Sequence, residues 1–295
     1  MKLSTTLIPV KCIGKPGYTF EDMIRDTVEA GFTVLDFPLH LSRCTFLNDG
    51  EDWKTPIREY RALAESLGAR FRYAHIPFGY PPADDKEAWA LFNRRCGRAL
   101  QAAAELGVEW AVAHPYDMAA PLYDEKAALD RALGYLTPLA HIAVESGVGM
   151  AIENMVDRVL VPFRRYCSTA ENLRTVIDSV RVTVSDPGRI GACLDTGHAN
   201  ACGLDHYAAV KVLGSRLKML HVNDNGGLAD DHIPPFTGTV HWDRLMQGLK
   251  EIGFPGDLNY EVRSSTIPGD AVEARVAYVA YLQAIGKYMI SLFEA

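Results

Sequence analysis

The stretch Ile190-Gly191-Ala192-Cys193-Leu194-Asp195-Thr196-Gly197-His198 shows the pattern on which the whole chain is built. A short apolar run breaks off at polar residues, and a longer helical pattern follows. Runs of this kind recur at 5–10, 33–37, 70–76, 110–114, 148–153, 190–195, 217–222 and 258–262. Between and after them the spacing predicts helices near 19–30, 56–67, 86–106, 125–146, 169–180, 204–213, 241–252 and 270–292. Several helices carry start and stop signals. Thr19 precedes Phe20-Glu21-Asp22, a cap with acids in the first turn. Gly31 closes the same helix, and Gly68, Gly107, Gly147 and Gly253 stand where later helices turn toward the next strand. Strands alternating with helices mean a parallel sheet with right-handed crossovers. Eight such units favour a closed α/β architecture, a (β/α)8 TIM barrel, over an open doubly wound sheet. The Gly-x-Gly-x-x-Gly turn of a dinucleotide-binding fold is missing after the first strand. With no low-complexity segment or Ser/Pro-rich linker, the chain reads as a single domain over 1–295.

Composition narrows the function classes. The chain has 295 residues, 48% hydrophobic and 23% charged, with 30 Lys+Arg against 37 Asp+Glu for a net charge of −7. No apolar run approaches ~18 residues, so no transmembrane helix and no membrane partner are expected. The first ten residues are too interrupted for a signal peptide. The acidic balance argues against a general nucleic-acid binder, which needs a basic footprint. Six scattered cysteines without a Cys-x-x-Cys pair read as reduced thiols of a cytoplasmic protein.

In a barrel of this kind the active site forms at the C-terminal ends of the strands. The third run ends Tyr73-Ala74-His75 and the fourth Ala113-His114-Pro115. The fifth ends Ala151-Ile152-Glu153-Asn154, and the sixth Leu194-Asp195-Thr196-Gly197-His198. The seventh ends Leu220-His221-Val222-Asn223-Asp224, with Asp230-Asp231-His232 in the loop beyond. The eighth ends Asn259-Tyr260-Glu261-Val262-Arg263. Taken singly, each has an ordinary explanation. A lone His at a strand end is usually a hydrogen-bonded structural residue, and Asp195-Thr196-Gly197-His198 alone is a turn with an Asp cap. Taken together, imidazoles and carboxylates from six strands converge on one rim, where a divalent metal would compensate their charges. The nitrogen and oxygen donors suit Mn, Zn, Co, Fe or Mg and do not choose among them.

The order Glu153, Asp195-Thr196-Gly197-His198, His221-x-Asn223-Asp224 and Glu261 resembles the xylose isomerase-like superfamily of sugar (phosphate) isomerases and epimerases, which includes endonuclease IV. The resemblance to its ketose 3-epimerases implies one divalent metal on Glu153, Asp195, His221 and Glu261. It further implies Glu153 and Glu261 as an acid–base pair and His198 on a substrate oxygen. Such a pair would abstract a proton beside a carbonyl of a small carbohydrate, through a metal-stabilised cis-enediolate. A homo-oligomer is an expectation from the resemblance alone. The chain departs from the epimerase pattern in lacking an arginine just after His221, where it reads Asn223-Asp224-Asn225-Gly226-Gly227. It has instead the Asp230-Asp231-His232 insertion, which resembles an element that endonuclease IV uses for an extra zinc. All nine ligand positions of that enzyme have candidates: His75, His114, Glu153, Asp195, His198, His221, Asp230, His232 and Glu261.

An alternative reading is therefore a metal-dependent phosphodiester hydrolase on abasic DNA, opposed by the net charge and by acidic rim loops at 44–52 and 78–85. A second alternative is an inosose dehydratase-like lyase, and a third a barrel that binds without catalysis. The two glutamates argue against the last. Arg158, Arg164 and Arg165 form either a clamp for a phosphate or carboxylate or a solvated loop. Arg263 shares a strand side with Glu261 and reaches either substrate or carboxylate. Trp53, Phe78, Tyr80, Tyr116 and Phe236 are candidates for an apolar wall, while His141 and His206 read as ordinary helix residues and His40 is open.

Overall fold

A computed structural model describes residues 1–13, 17–82, 84–115, 124–157, 165–263, 267–268 and 270–295. The strands are β1 (Leu3–Thr6), β2 (Val34–Phe37), β3 (Arg70–His75), β4 (Trp110–Ala113), β5 (Gly149–Glu153), β6 (Ile190–Asp195), β7 (Leu217–His221) and β8 (Leu258–Tyr260). They pair in parallel in the order β7-β6-β5-β4-β3-β2-β1-β8. A bridge between Val222 and Tyr260 brings β7 to β8, with Val222 N–H donating to Asn259 O at 2.8 Å. The result is the nearly closed (β/α)8 barrel that the alternating pattern implies.

Helices α1 (Phe20–Glu29), α2 (Lys54–Ser66), α3 (Lys86–Leu106), α4 (Glu125–Ser146), α5 (Ala170–Arg181), α6 (Thr196–Ala201), α7 (His206–Leu213), α8 (Trp242–Glu251) and α9 (Val272–Glu294) complete the units. Local chemistry sets their ends. Thr19 and Asp22 form a reciprocal capping box on α1. Gly107 and Gly147 end α3 and α4 at φ of 82° and 79°, a left-handed turn in which a Cβ would be strained.

Two differences from the sequence reading have physical causes. β1 stops at Thr6 rather than running to residue 10. Pro9 has no N–H for a ladder, and α1 takes over the neighbouring amides. Thr27 Oγ1 accepts from Ile8 N–H at 2.9 Å, and the Asp26 carboxylate accepts from Val10, Lys11 and Cys12. The unforeseen α6 starts on Asp195, whose carboxylate caps it through His198 N–H at 2.7 Å.

Side chains facing into the barrel form a layer of Val34, Tyr73, Val112, Ala151, Cys193 and Met219, separate from the larger core under the helices. Because strand side chains alternate, the residue two places on in each strand direction faces the same way. Those residues are Asp36, His75, His114, Glu153, Asp195 and His221. The apolar layer is the floor of a polar rim.

Helix α9 is long and apolar enough, by length and composition only, to cross a membrane, although no uninterrupted apolar run shows it in the sequence. It lies against the barrel, burying Val279, Leu282 and Met289, and Leu282 O accepts from Tyr260 Oη at 2.9 Å. At Gly286 a Cβ would run into Leu3 and Tyr260. Gly286→Val is therefore expected to destabilise the fold by about 1–3 kcal/mol through overpacking. Urea unfolding checks this, and an unchanged midpoint would mean that α9 does not dock closely.

Candidate metal centre

Three of these strand-end residues, with Glu261 just after β8, form the inner group. Ligand atoms of Glu153, Asp195, His221 and Glu261 lie within 4.8 Å of one another. His221 Nδ1 stands 3.0 Å from Glu153 Oε1 and 3.2 Å from Glu261 Oε2. Asp195 is pinned from several sides. Its backbone exchanges hydrogen bonds with the Asn154 side chain at 2.7 and 3.0 Å, and its Oδ2 accepts from Asn223 Nδ2 at 2.8 Å. Gly197 makes room for this, because a Cβ there would strike Asn223.

An outer group surrounds the first. His75 and His114 meet at 3.0 Å through their Nε2 atoms and reach Glu153 Oε2 at 3.5 and 3.1 Å. On the other flank Asp230 Oδ1 is 3.5 Å from His198 Nε2 and 3.1 Å from His232 Nε2. Three of these imidazoles are oriented by backbone carbonyls that accept an Nδ1 proton: Ile76 O for His75, Asn154 O for His198 and Glu261 O for His232, at 2.9, 2.8 and 2.8 Å. Each then turns its Nε2 inward, the nitrogen that would be free to ligate once deprotonated.

The charges respond to this crowding. Burial opposes ionisation of Glu153, yet the His221 and His114 imidazoles hold it well below the usual carboxylate range. Burial pushes Asp195 up to about 6 against the pull of His198 and His232. Burial lowers His114 to about 4. His232 rises to about 9 despite burial, because Asp230, Glu261 and Asp195 favour its cation. His198 also rises well above its ordinary value despite burial, drawn by Asp195, Asp230 and Glu153.

The residues fit a divalent cation. Among the described residues Glu153 Oε2 and Asp230 Oδ1 are buried atoms with no hydrogen bond, although imidazole nitrogens stand close by. An ion between such groups would satisfy both partners. The donors are nitrogen and oxygen, and the nearby Cys193 thiol is held neutral, raised by burial far above its ordinary value. This set could hold Mn, Zn, Co, Fe or Mg.

Over residues 24–282 the chain matches the family described as xylose isomerase-like TIM barrel. It belongs to that family. An uncharacterised protein of Methanocaldococcus jannaschii is 27% identical over 220 residues, covering 72% of this chain and 70% of its own. A ketose 3-epimerase of Arthrobacter globiformis is 26% identical over 255 residues, covering 83% and 78%. Among solved structures, a D-tagatose 3-epimerase-like protein superposes over 100% of this chain and 98% of its own, with TM-score 0.75 and 18% identity. The IolI protein with a zinc atom superposes over 97% of each, with TM-score 0.71 and 17% identity. At these identities the two structures share the fold.

In this xylose isomerase-like barrel a cavity of about 630 Å³ opens above the rim. Glu153, Glu261, His75, His114, His198, Asp230, His232 and Arg263 all line it. Asp195 and His221 do not, lying fully buried beneath. His40, Phe78, Tyr80 and Arg165 also face the cavity, and the Phe78 ring stacks on His114 at 4.5 Å. Arg263 Nη2 is 3.9 Å from Asp230 Oδ2, so it approaches the outer carboxylate rather than Glu261. Phe236 packs on Trp242 and Tyr288 instead of the cavity. Trp53 packs against the main core, His141 is exposed, and His206 is buried with its Nε2 on Thr196 O at 2.9 Å. Arg158, Arg164 and Tyr116 lie outside the described residues. A second hollow of about 620 Å³ lies between α3 and α4, away from the ionisable cluster.

Sequence reasoning passed over Asp36, a buried carboxylate in β2 lying 3.7 Å from His221 Nε2. Its signal was a lone acid inside Val34-Leu35-Asp36-Phe37. It also passed over the role of Asp224, which gathers the N–H groups of Asn225, Gly238, Val240 and Trp242.

Ligation needs neutral imidazoles, so an ion on the inner group would displace a proton from His221, and one on the outer group would displace protons from His198 and His232. Affinity for added zinc is expected to rise with pH toward about 9, the value of His232. Calorimetry at neutral pH in two buffers of different ionisation enthalpy should show at least about one proton released per site. No release would exclude those imidazoles as ligands. Asp195→Asn and His221→Ala should each lose bound metal by elemental analysis, and full retention in both would place the ligands elsewhere.

Proposed function

We propose that the chain is a divalent-metal-dependent sugar or sugar phosphate isomerase or epimerase. One observation carries the reading. Of the four inner residues, only Glu153 and Glu261 line the cavity, and they stand on separate walls, at the end of β5 and just after β8. Two carboxylates reaching one substrate from different walls can remove a proton on one side and return one on the other. Glu153, Asp195, His221 and Glu261 would hold the cation, which when bound polarises a carbonyl oxygen and lowers the barrier to losing the adjacent proton. Imidazoles keep both glutamates ionised in the free protein, so each is able to accept a proton. His198, with Nδ1 anchored on Asn154 O, offers Nε2 to a substrate oxygen or a further ion. The similarity to a ketose 3-epimerase supports a carbohydrate as substrate.

A second reading rests on the outer group. His75 and His114 on one flank, with His198, Asp230 and His232 on the other, offer enough donors for additional ions, which suits phosphodiester hydrolysis. The net charge of −7 opposes DNA as the substrate.

The test is exchange in deuterated buffer. Chelated protein reloaded with Mn, Co or Zn is given a panel of ketoses, inososes and hydroxypyruvate, and C–H signals are followed by NMR. At least one compound is expected to exchange, and Glu153→Gln or Glu261→Gln should slow it by about 10²- to 10⁴-fold. Exchange without turnover to an epimer or isomer, but with loss of water, would move the reaction to a lyase. No exchange with any compound and metal removes the proposal, and chelator-sensitive incision of an abasic duplex would establish the second reading.

A further inference from the structure

We propose that Asp36 is a positioning residue for His221, accepting its Nε2 proton so that Nδ1, which donates to Glu153 at 3.0 Å in the ion-free protein, is the nitrogen left to ligate a cation. The inference rests on the metal reading above. Three of the imidazoles around the centre have their Nδ1 proton taken by a backbone carbonyl, which sets the tautomer. Among the described residues His221 has no such carbonyl. Its Nδ1 turns toward Glu153 and Glu261, and Nε2 points into the barrel wall with no hydrogen-bond partner among the described residues. Asp36 is the carboxylate on that side, with Oδ2 at 3.7 Å and an unpaired Oδ1.

Both side chains are buried, and leaving His221 Nε2 and Asp36 Oδ1 without hydrogen bonds is the costly arrangement. The gap exceeds a charge-assisted hydrogen bond of ~2.9 Å by about 0.8 Å, which a small tilt of the ring closes. Asp36 is itself held in place. Its Oδ2 accepts from Asn259 Nδ2 at 2.9 Å, and Asn259 Oδ1 accepts from Ser4 Oγ at 2.8 Å. Ser4, Asn259, Asp36 and His221 thus link four strands, β1, β8, β2 and β7, in one polar chain through the barrel. Asp36 is not an added ligand, because it stands on the ring edge opposite the inner carboxylates. A carboxylate in that place orients the ring and raises the basicity of the opposite nitrogen.

The experiment is zinc affinity by competition with a chelating dye, together with ¹⁵N-histidine NMR of the zinc-loaded protein. Wild type should show a protonated Nε2 on His221 with a slowly exchanging proton. Asp36→Ala should bind zinc about 10- to 100-fold more weakly and lose that signal. If Asp36→Ala does not fold, Asp36→Asn keeps the side-chain shape and carries the test, with weaker zinc binding at an unchanged Tm as the expected result. Equal zinc affinity and an unchanged Nε2 signal in the folded variant would overturn this inference alone. A wild type that takes up no zinc would overturn the metal reading, and this inference with it.

Discussion

The rim is organised around one buried carboxylate. Glu153 is 1% exposed and meets imidazole nitrogens of His221, His114, His75 and His198 at 3.0, 3.1, 3.5 and 3.6 Å. An isolated carboxylate at such a depth would cost several kcal/mol, so its partners are a condition of the fold as well as of the chemistry. The imidazoles serve because they change charge easily. His221 and His198, held well above the ordinary imidazole range by the surrounding carboxylates despite burial, compensate Glu153 as cations when no ion is present, and losing those protons would leave them neutral donors for one. A lysine or arginine in their place would compensate the charge permanently and close the centre to metal.

The barrel makes this crowding possible by separating support from chemistry. The interior layer of Val34, Tyr73, Val112, Ala151, Cys193 and Met219 is apolar and fills the space below. One step along each strand direction the same inward positions become ionisable. Asparagines then fix what the strands deliver, Asn154 and Asn223 holding Asp195 and Asn259 holding Asp36. An amide suits this work because it donates to a carboxylate without adding charge to an already charged region.

This offset of two residues also explains what was legible in the sequence. His75, His114, Glu153, Asp195 and His221 each close an apolar run, so reading the ends of runs finds them and the barrel together. Asp36 obeys the same offset from Val34, but Phe37 follows it and the run does not visibly end there. The foot of the site is therefore hidden in a stretch that looks like plain core. Residues on loops are less legible still. Phe78 reaches the cavity and Phe236 does not, although both were candidates for its wall, because loop direction depends on tertiary contacts that spacing does not encode. Asp195 has two readings that hold at once. It caps α6 with one oxygen and faces the inner group with its carboxylate, so the ordinary explanation and the functional one describe the same atoms.

The loop after β7 shows how the outer group is kept in place against its own backbone preference. His232 has φ of 51° and Phe236 of 66°, conformations that side chains other than glycine rarely adopt. Such residues cost about 1–3 kcal/mol each and persist only where the surroundings over-determine them. Here Asp224 supplies that control. Buried beneath the loop, it accepts from Asn225, Gly238, Val240 and the Trp242 indole, while its backbone pairs with Ile233 at 2.8 and 3.0 Å. The segment is thereby clamped at both ends with His232 between them. The strained backbone sends the His232 Nδ1 proton to Glu261 O and its Nε2 to Asp230, tying β8 and the loop into one unit. The strained position is the one whose imidazole reaches Asp230 and the Glu261 carbonyl at the rim.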